Sequence, residues 1–341
     1  MTETISGIGE FGLIDRLRTL IQKEGAQTPG VALGIGDDTA SIHPREGYEI
    51  LVTCDSLVEG RHYLPAHTTA FDLGRRAMTV NISDIGAMGG TPLYALVSLG
   101  LQGKTPVTDV ENMYRGFLRE LKPFEASIIG GNITKTNEIN FIDITLLGEV
   151  EKGKIVRRST AKTGDSILVT GYPGQAVGGL RLLLESERPD ELRDNPLVRA
   201  YITPSHRARE GHAIARSGYA RAMIDTSDGF LADLGHICEE SGVGAVLVQS
   251  DLPSNDDLRQ AAQLLNQDLY ELILKDSDDY ELIITCSAVH VEKIRSVIAG
   301  VSRTPVTEVG YMTETAGEIR LIFPDGRMRN LQPKGWDHFK K

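Results

Sequence analysis

Apolar residues recur at helical spacing near the start of the chain. Phe11, Ile14, Leu17, Leu20 and Ile21 punctuate EFGLIDRLRTLIQKE, so a surface helix with a structural role is expected there. Residues 48–54, YEILVTC, read as a buried strand ending at Asp55 and Ser56. Residues 78–92, MTVNISDIGAMGGTP, read as a helix in which Ala77, Ser83, Gly86, Ala87, Gly89 and Gly90 leave almost no bulk around Asp84. Each glycine inside a helix costs about 1 kcal/mol relative to alanine, so either a close backbone approach is needed or this is a tightly packed core helix capped by Gly89 and Gly90. YALVSLGL then reads as a strand, and VTDVENMYRGFLRELKPF as a helix with Val110, Met113, Phe117 and Leu121 on one face. ASIIGGN is a short apolar strand running into Gly130, Gly131 and Asn132, and NFIDITLLGEV is another strand.

The pattern changes across KGKIVRRSTAKTGD, which is basic and polar, and a domain boundary is expected there, dividing 1–150 from 151–341. Beyond it SILVTG reads as a strand, PGQAVGGLRLLLES as a helix and residues 205–217 as another helix. Residues 222–224 form a short strand, with Asp225, Ser227 and Asp228 in the turn before a helix that begins at Gly229. An acid at such a turn is often an N-cap, which accounts for one aspartate and not for two. Asp276, Ser277, Asp278 and Asp279 precede a further strand, and the single tryptophan, Trp336, lies in the polar tail PKGWDHF. The fold class is α/β with mixed α+β character.

Size and charge narrow the functions. The chain has 341 residues, enough for two domains. Its net charge of −11 argues against a nucleic-acid surface, which needs a basic stripe to neutralise phosphates. No apolar run approaches a membrane span and no basic-then-apolar leader opens the sequence, so a cytoplasmic protein without a membrane partner is expected. Cys54, Cys238 and Cys286 lie far apart and fit thiols in a reducing compartment.

The chemistry rests on acids. Asp37, Asp38, Asp55, Asp84, Asp225 and Asp228 come from four separate segments, each beside a glycine turn or a strand end. Hard oxygen donors of this kind suit Mg²⁺. There is no GxxxxGK[ST] loop, no HRD or DFG set and no GxSxG elbow. A reaction that joins two phosphates needs no strong base, because a phosphate monoester loses its second proton at about pH 6. Its difficulty is charge neutralisation and positioning, which several Mg²⁺ ions and an arginine would supply, and Arg157, Arg158 and Lys162 are the densest basic group near the glycine turns.

The blocks GEFGLIDRL, GIGDDTA, NISDIGAMGG, GGN, RRSTAKTGD, IDTSDGF, DDYEL and KGWDHF, in this order, resemble the thiamine-monophosphate kinase family. That family belongs to the superfamily of aminoimidazole ribonucleotide synthetase, selenophosphate synthetase and the hydrogenase-maturation dehydratase. The resemblance implies direct transfer of the ATP γ-phosphate to thiamine monophosphate without a phosphoenzyme. It assigns magnesium to Asp38, Thr53, Cys54, Asp55, Asp84, Asn132, Asp225 and Asp228, with Asp84, Asp55 and Asp228 nearest the chemistry. Cys54 would serve through its backbone carbonyl, since a thiol is a poor magnesium ligand. ATP falls to Tyr114, Gly131, Asn132, Arg158 and Ser227, and the thiamine substrate to His62, Asp278 and Trp336. The resemblance also implies a two-domain aminoimidazole ribonucleotide synthetase-like fold, whose N-terminal domain pairs in a homodimer to form a β-barrel. Potassium is a further cation it leaves open. Two positions depart from the pattern: Asn132 replaces an aspartate, and Asp276, Ser277, Asp278 replace Gly-Gly-Glu. The competing readings are a synthetase or dehydratase of the superfamily acting on another acceptor, and a non-catalytic nucleotide-binding paralogue.

Overall fold

The computed structural model describes residues 2–36 and 38–333. It divides into two compact units, the first running to Ile85 and again from Gly90 to Lys152, the second taking Gly86–Gly89 and the chain from Gly153 onward.

The first unit opens with α1 (Ile5–Glu24), kinked at Gly9, where φ is 71°. Leu13, Leu17 and Leu20 are its buried stripe. Phe11, expected in that stripe, is 84% exposed. At about 100° per residue it points away from Leu13, and the apolar face is narrower than a simple count of spacings gives. A two-stranded ribbon of β1 (Val31–Leu33) and β2 (Ser41–Ile42) follows. The main sheet takes β3 (Tyr48–Val58), β4 (Thr91–Gln102), β5 (Ser127–Thr136) and β6 (Phe141–Glu151), with α2 (Ala70–Ala87) and α3 (Val107–Leu121) between them in sequence.

The strand order is β3-β6-β4-β5, with β4 and β5 parallel and the other pairs antiparallel. This sheet is open, with β3 and β5 at its edges, and no barrel closes among the described residues of one chain. β3 outruns its expected end: pairing continues to Val58 opposite Phe141, so Asp55 lies inside the strand, opposite Ile144. Gly130 and Gly131 likewise lie inside β5 and not in a turn after it. A side-chain carbon at Gly131 would sit 1.9 Å from the Val97 carbonyl oxygen, so glycine is what lets β5 approach β4.

The second unit is built on a mixed seven-stranded sheet. Its strands are β7 (Asp165–Thr170), β8 (Ala220–Asp225), β9 (Gly244–Val248), β10 (Leu282–Ser287), β11 (Val306–Thr313), β12 (Ile319–Ile322) and β13 (Met328–Leu331), in the order β13-β12-β9-β11-β7-β10-β8. Its helices are α4 (Gln175–Glu185), α5 (Pro196–Ile202), α6 (Ala208–Ser217), α7 (Phe230–Ser241), α8 (Asp256–Leu264), α9 (Leu269–Ile273) and α10 (Val291–Ala299). Strand alternation divides its apolar residues into two cores. Ile167, Val169 and Ile283 join α7 and α8 in one, while Leu168, Ile284 and Met223 join α6 and α10 in the other. Both faces are therefore covered, which is why SILVTG is apolar throughout.

Candidate active site

In the first unit the central acid has a partner from the neighbouring strand. Asp84, half-buried on α2, accepts a hydrogen bond from the Thr53 hydroxyl on β3. Side chains alternate along a strand, so Asp55 shares the Thr53 face and Cys54 lies on the other. The Cys54 thiol donates to Asp143 at 3.3 Å and accepts from the Thr145 hydroxyl at 3.5 Å. Its sulfur is thus turned away from Asp84, as a ligand acting through the carbonyl requires. Among the described residues β3 pairs with β6 alone, so half of its carbonyls point off the sheet edge. Three hard oxygen groups, Thr53, Asp55 and Asp84, share one face, and such a donor set fits Mg²⁺.

The small residues after Asp84 do permit close approach. Gly86 belongs to the second unit, where an added carbon would lie 2.4 Å from the Ala208 Cα of α6. One at Gly211 would lie 2.1 Å from the Gly86 carbonyl oxygen. Gly89 and Gly90 also cap the helix, their amides donating to the Gly86 and Ile85 carbonyls. Both readings of this stretch are therefore realised, close approach and capping, with Asp84 half-buried.

A cavity of about 750 Å³ lies within the first unit. Asp38, Tyr114, Gly131 and Asn132 all line it, so residues read from three separate motifs converge on one space of small-molecule size. Thr145 also lines it, which puts it on the Cys54 face of the sheet. Tyr114 is buried on α3, packed edge-on against Phe117 at 5.2 Å, and burial pushes its hydroxyl pKa up. Arg18 of α1 lines the same cavity and was missed, because α1 read as purely structural. Thr53, Asp55, Asp84 and His62 are not among the lining residues. His62 follows β3, and its Nδ1 accepts the Val58 amide at 2.8 Å. In the neutral ring the proton therefore sits on Nε2, a donor for an anion.

In the second unit Asp225 ends β8 and is buried, Ser227 is exposed and Asp228 half-buried. Neither Asp225 nor Asp228 caps α7. Asp233, inside its first turn, accepts from the amides of Ser227, Asp228 and Gly229 at 3.0, 3.1 and 3.1 Å. Burial, then the charges of Asp225 and Asp228, hold its carboxyl well above the usual carboxylate range. Ligand-capable atoms of Asp228, Asp233 and His236 lie within 4.8 Å of one another. Asp233 and His236 were not singled out in the sequence; an acid four residues after the glycine was the available clue.

The Asp276–Glu281 block is used structurally. Asp279 accepts the Gly174 and Ala176 amides at 2.6 and 2.7 Å, and the Ser277 hydroxyl accepts the Val177 amide at 3.1 Å. Ser277 is thereby committed to the first turn of α4. Asp278 stays half-buried beside it. Burial pushes the Asp279 carboxyl up to about 7. Glu281 accepts from Arg207 Nε and from Thr170, both at 2.6 Å. Arg158 is exposed, its carbonyl accepting the Ser241 hydroxyl at 2.9 Å. Trp336 lies outside the described residues, as does Asp37.

Comparison with known proteins sets these residues in a family. Residues 36–150 match the AIR synthase related protein N-terminal domain and residues 162–322 the C-terminal domain. Thiamine-monophosphate kinase of Bacillus subtilis is 34% identical over 313 residues, covering 91% of this chain and 94% of that one. The chain belongs to the thiamine-monophosphate kinase family. A crystal structure of thiamine-monophosphate kinase from Stenotrophomonas maltophilia matches with a TM-score of 0.78 at 32% identity, covering 94% of this chain and 98% of that one. AaThiL complexed with AMPPCP and TMP matches with a TM-score of 0.74 at 32% identity, covering 99% and 100%. The two-domain aminoimidazole ribonucleotide synthetase-like α/β fold is thus that of the thiamine-monophosphate kinases, with mixed sheets in both units.

Proposed function

We propose that this protein transfers the γ-phosphate of ATP to thiamine monophosphate, giving thiamine diphosphate and ADP. The observation that carries the reading is the cavity in which Tyr114, Gly131, Asn132 and Asp38 meet, in a chain of this family. Tyr114 presents a rigid aromatic edge there, and Gly131 leaves backbone open to a ligand. Asn132 offers a neutral amide oxygen where family members carry a charge, so a cation there is held more weakly.

Thr53, Asp55 and Asp84 are assigned to Mg²⁺ in the first unit, with Asp38 and the Cys54 carbonyl, and Asp225 and Asp228 in the second. Bound magnesium supplies charge neutralisation to the phosphates. The side chains do the rest: Thr53 orients the Asp84 carboxylate, and His62 aims Nε2–H at the substrate phosphate. Ser227 and Arg158 hold ATP, while Asp278 and Trp336 contact thiamine monophosphate. No general base is needed, because the attacking phosphate is already an anion near neutral pH.

The reading includes a homodimer and a cytoplasmic setting. Support for pairing comes from edge strand β3 of the first unit, where Val52 is 63% exposed and Ile50 also reaches solvent. Apolar residues in an edge strand favour burial against a second copy. Sedimentation of the purified protein checks this, and a monomer at micromolar concentration would remove it. No helix among the described residues is long and apolar enough to cross a membrane.

Product analysis tests the function. The protein is incubated with ATP, Mg²⁺ and thiamine monophosphate, beside thiamine and acceptor-free controls, with and without potassium. Thiamine diphosphate is expected in step with ADP, and only from the monophosphate. ADP without thiamine diphosphate would move the reaction to another acceptor, and no ADP would leave a nucleotide binder.

A further inference from the structure

Asp233 takes no part in the reading above, yet it is the most constrained acid near the Asp225–Gly229 turn. It is 2% exposed and sits on α7 among Leu234, Ile237 and Cys238, all fully buried. One of its oxygens, Oδ2, receives three consecutive backbone amides, those of Ser227, Asp228 and Gly229. With the amides drawn to Asp233, Ser227 is left exposed and Asp228 half-buried, a carboxylate oxygen of Asp228 lying within 4.8 Å of one of Asp233.

The same turn is seated from its other side. The Thr226 amide donates to the Glu281 carbonyl at 2.8 Å, and its carbonyl accepts the Tyr280 amide at 2.8 Å. The Thr226 hydroxyl accepts the Glu281 amide at 3.0 Å. Gly229, with φ of +115°, has no room for a side chain, since one would meet the Lys275 carbonyl oxygen at 2.5 Å. Thr226 and Gly229 fix the two ends of the turn, and Asp233 fixes its middle.

We propose that Asp233 is a positioning residue: its carboxylate, held on the buried face of α7, sets the Ser227–Gly229 backbone so that Ser227 and Asp228 project in the orientation that ATP and magnesium require. This rests on the assignment of Ser227 to ATP and Asp228 to magnesium. Its content is acceptor geometry. An asparagine, which keeps an oxygen at the same distance along the side chain, preserves most of the function, whereas removal of the oxygen does not.

The test uses the full chain with Asp233→Ala, Asp233→Asn and, as a separate probe of the underlying assignment, Asp228→Asn. Half-saturating Mg²⁺, KM for ATP, KM for thiamine monophosphate and the thermal midpoint are measured for each. Asp233→Ala is expected to raise half-saturating Mg²⁺ at least tenfold, and Asp233→Asn less than about threefold. An alanine variant that melts earlier but keeps wild-type Mg²⁺ dependence would make Asp233 structural only and overturn the proposal. Equal damage from asparagine and alanine would overturn it too, showing that the charge matters, as for a direct ligand near His236. Should the alanine protein not fold, Asp233→Glu replaces it, keeping the charge while displacing the oxygen by one methylene; it is expected to match the alanine result. Unchanged Mg²⁺ dependence in Asp228→Asn would instead remove the assignment on which the proposal rests.

Discussion

Gly131→Ala separates two costs that the structure makes distinct. The new methyl would stand 1.9 Å from the Val97 carbonyl oxygen, 2.7 Å from its carbon and 2.9 Å from the Val97 nitrogen. All three are backbone atoms, so no side chain can swing away to make room. Relief requires β5 to move off β4 by more than an ångström, and β5, as an edge strand, has no neighbouring strand on its far side among the described residues. Loss of one or two ladder hydrogen bonds costs about 1 kcal/mol each, and the positive φ of +153° adds roughly 1 kcal/mol for a residue with a Cβ. The expected total is about 2–3 kcal/mol, together with distortion of the cavity wall that Gly131 and Asn132 form. Gly153→Ala is the control: its φ is +78° and nothing lies within 4 Å of the added carbon, so only the conformational cost of about 1 kcal/mol applies. Urea denaturation followed by circular dichroism gives both stabilities, and titration with a non-hydrolysable ATP analogue gives the affinities. The alanine at position 131 should cost at least about 1 kcal/mol more than that at 153 and weaken the analogue severalfold, while position 153 leaves affinity unchanged. Equal stabilities with unchanged affinity would refute both the tight strand approach and the placement of ATP in this cavity.

Two further outcomes are expected. Asp84→Asn should abolish turnover while leaving the circular dichroism spectrum intact, because it removes a metal charge but keeps an acceptor for Thr53; near-normal activity would sink the magnesium assignment. Asp279 makes stability fall as pH rises: below about 4 both states are protonated, and between there and about 7 the unfolded chain releases a proton that the buried carboxyl retains. At about 1.4 kcal/mol per pH unit the loss is at most about 4 kcal/mol. Asp279→Asn, less stable at low pH for want of a second acceptor, should flatten that pH slope, and parallel slopes in the two proteins would disprove the assignment.

What the sequence revealed followed from period and spacing. The strand SILVTG, the α3 face of Val110, Met113, Phe117 and Leu121, and the acids around Asp225 were all legible because local patterns determine them; residues 48–54 form the expected strand but not a buried one, since of them only Leu51 is buried and Val52 is 63% exposed. The open end of β3 was not, because Asp55, Ser56 and Val58 continue the strand only by pairing with Ile144, Asp143 and Phe141, some ninety residues on. Gly130 and Gly131 looked like a turn for the same reason: nothing local announces that Val97 lies against them. Asp233 was hidden by its helix, since an acid in a first turn ordinarily serves the macrodipole, and only the fold shows three amides converging on one oxygen. Arg18 was hidden by Leu13, Leu17 and Leu20, which explain α1 completely without it.

The alternation along β3 ties these pieces to the proposed chemistry. Thr53 and Asp55 face one way and Thr53 bonds Asp84, while Cys54 and Ser56 face the other and bond Asp143. The register is fixed by eleven consecutive pairs with β6, from Tyr48 opposite Glu151 to Val58 opposite Phe141. A slip of one residue would reverse every side chain, placing a thiol where Asp84 now finds a hydroxyl and turning two hard oxygens away from it. A soft thiol is poorly suited to magnesium, so under the proposed magnesium assignment the length of β3 beyond its apolar portion has a chemical reason. The polar residues after Cys54 extend the pairing that keeps Thr53 and Asp55, the side chains proposed to face magnesium, on one side of the strand. A strand that ended at Cys54, as its hydrophobicity alone implied, would hold Asp55 by its flanking backbone only and leave its direction to the loop.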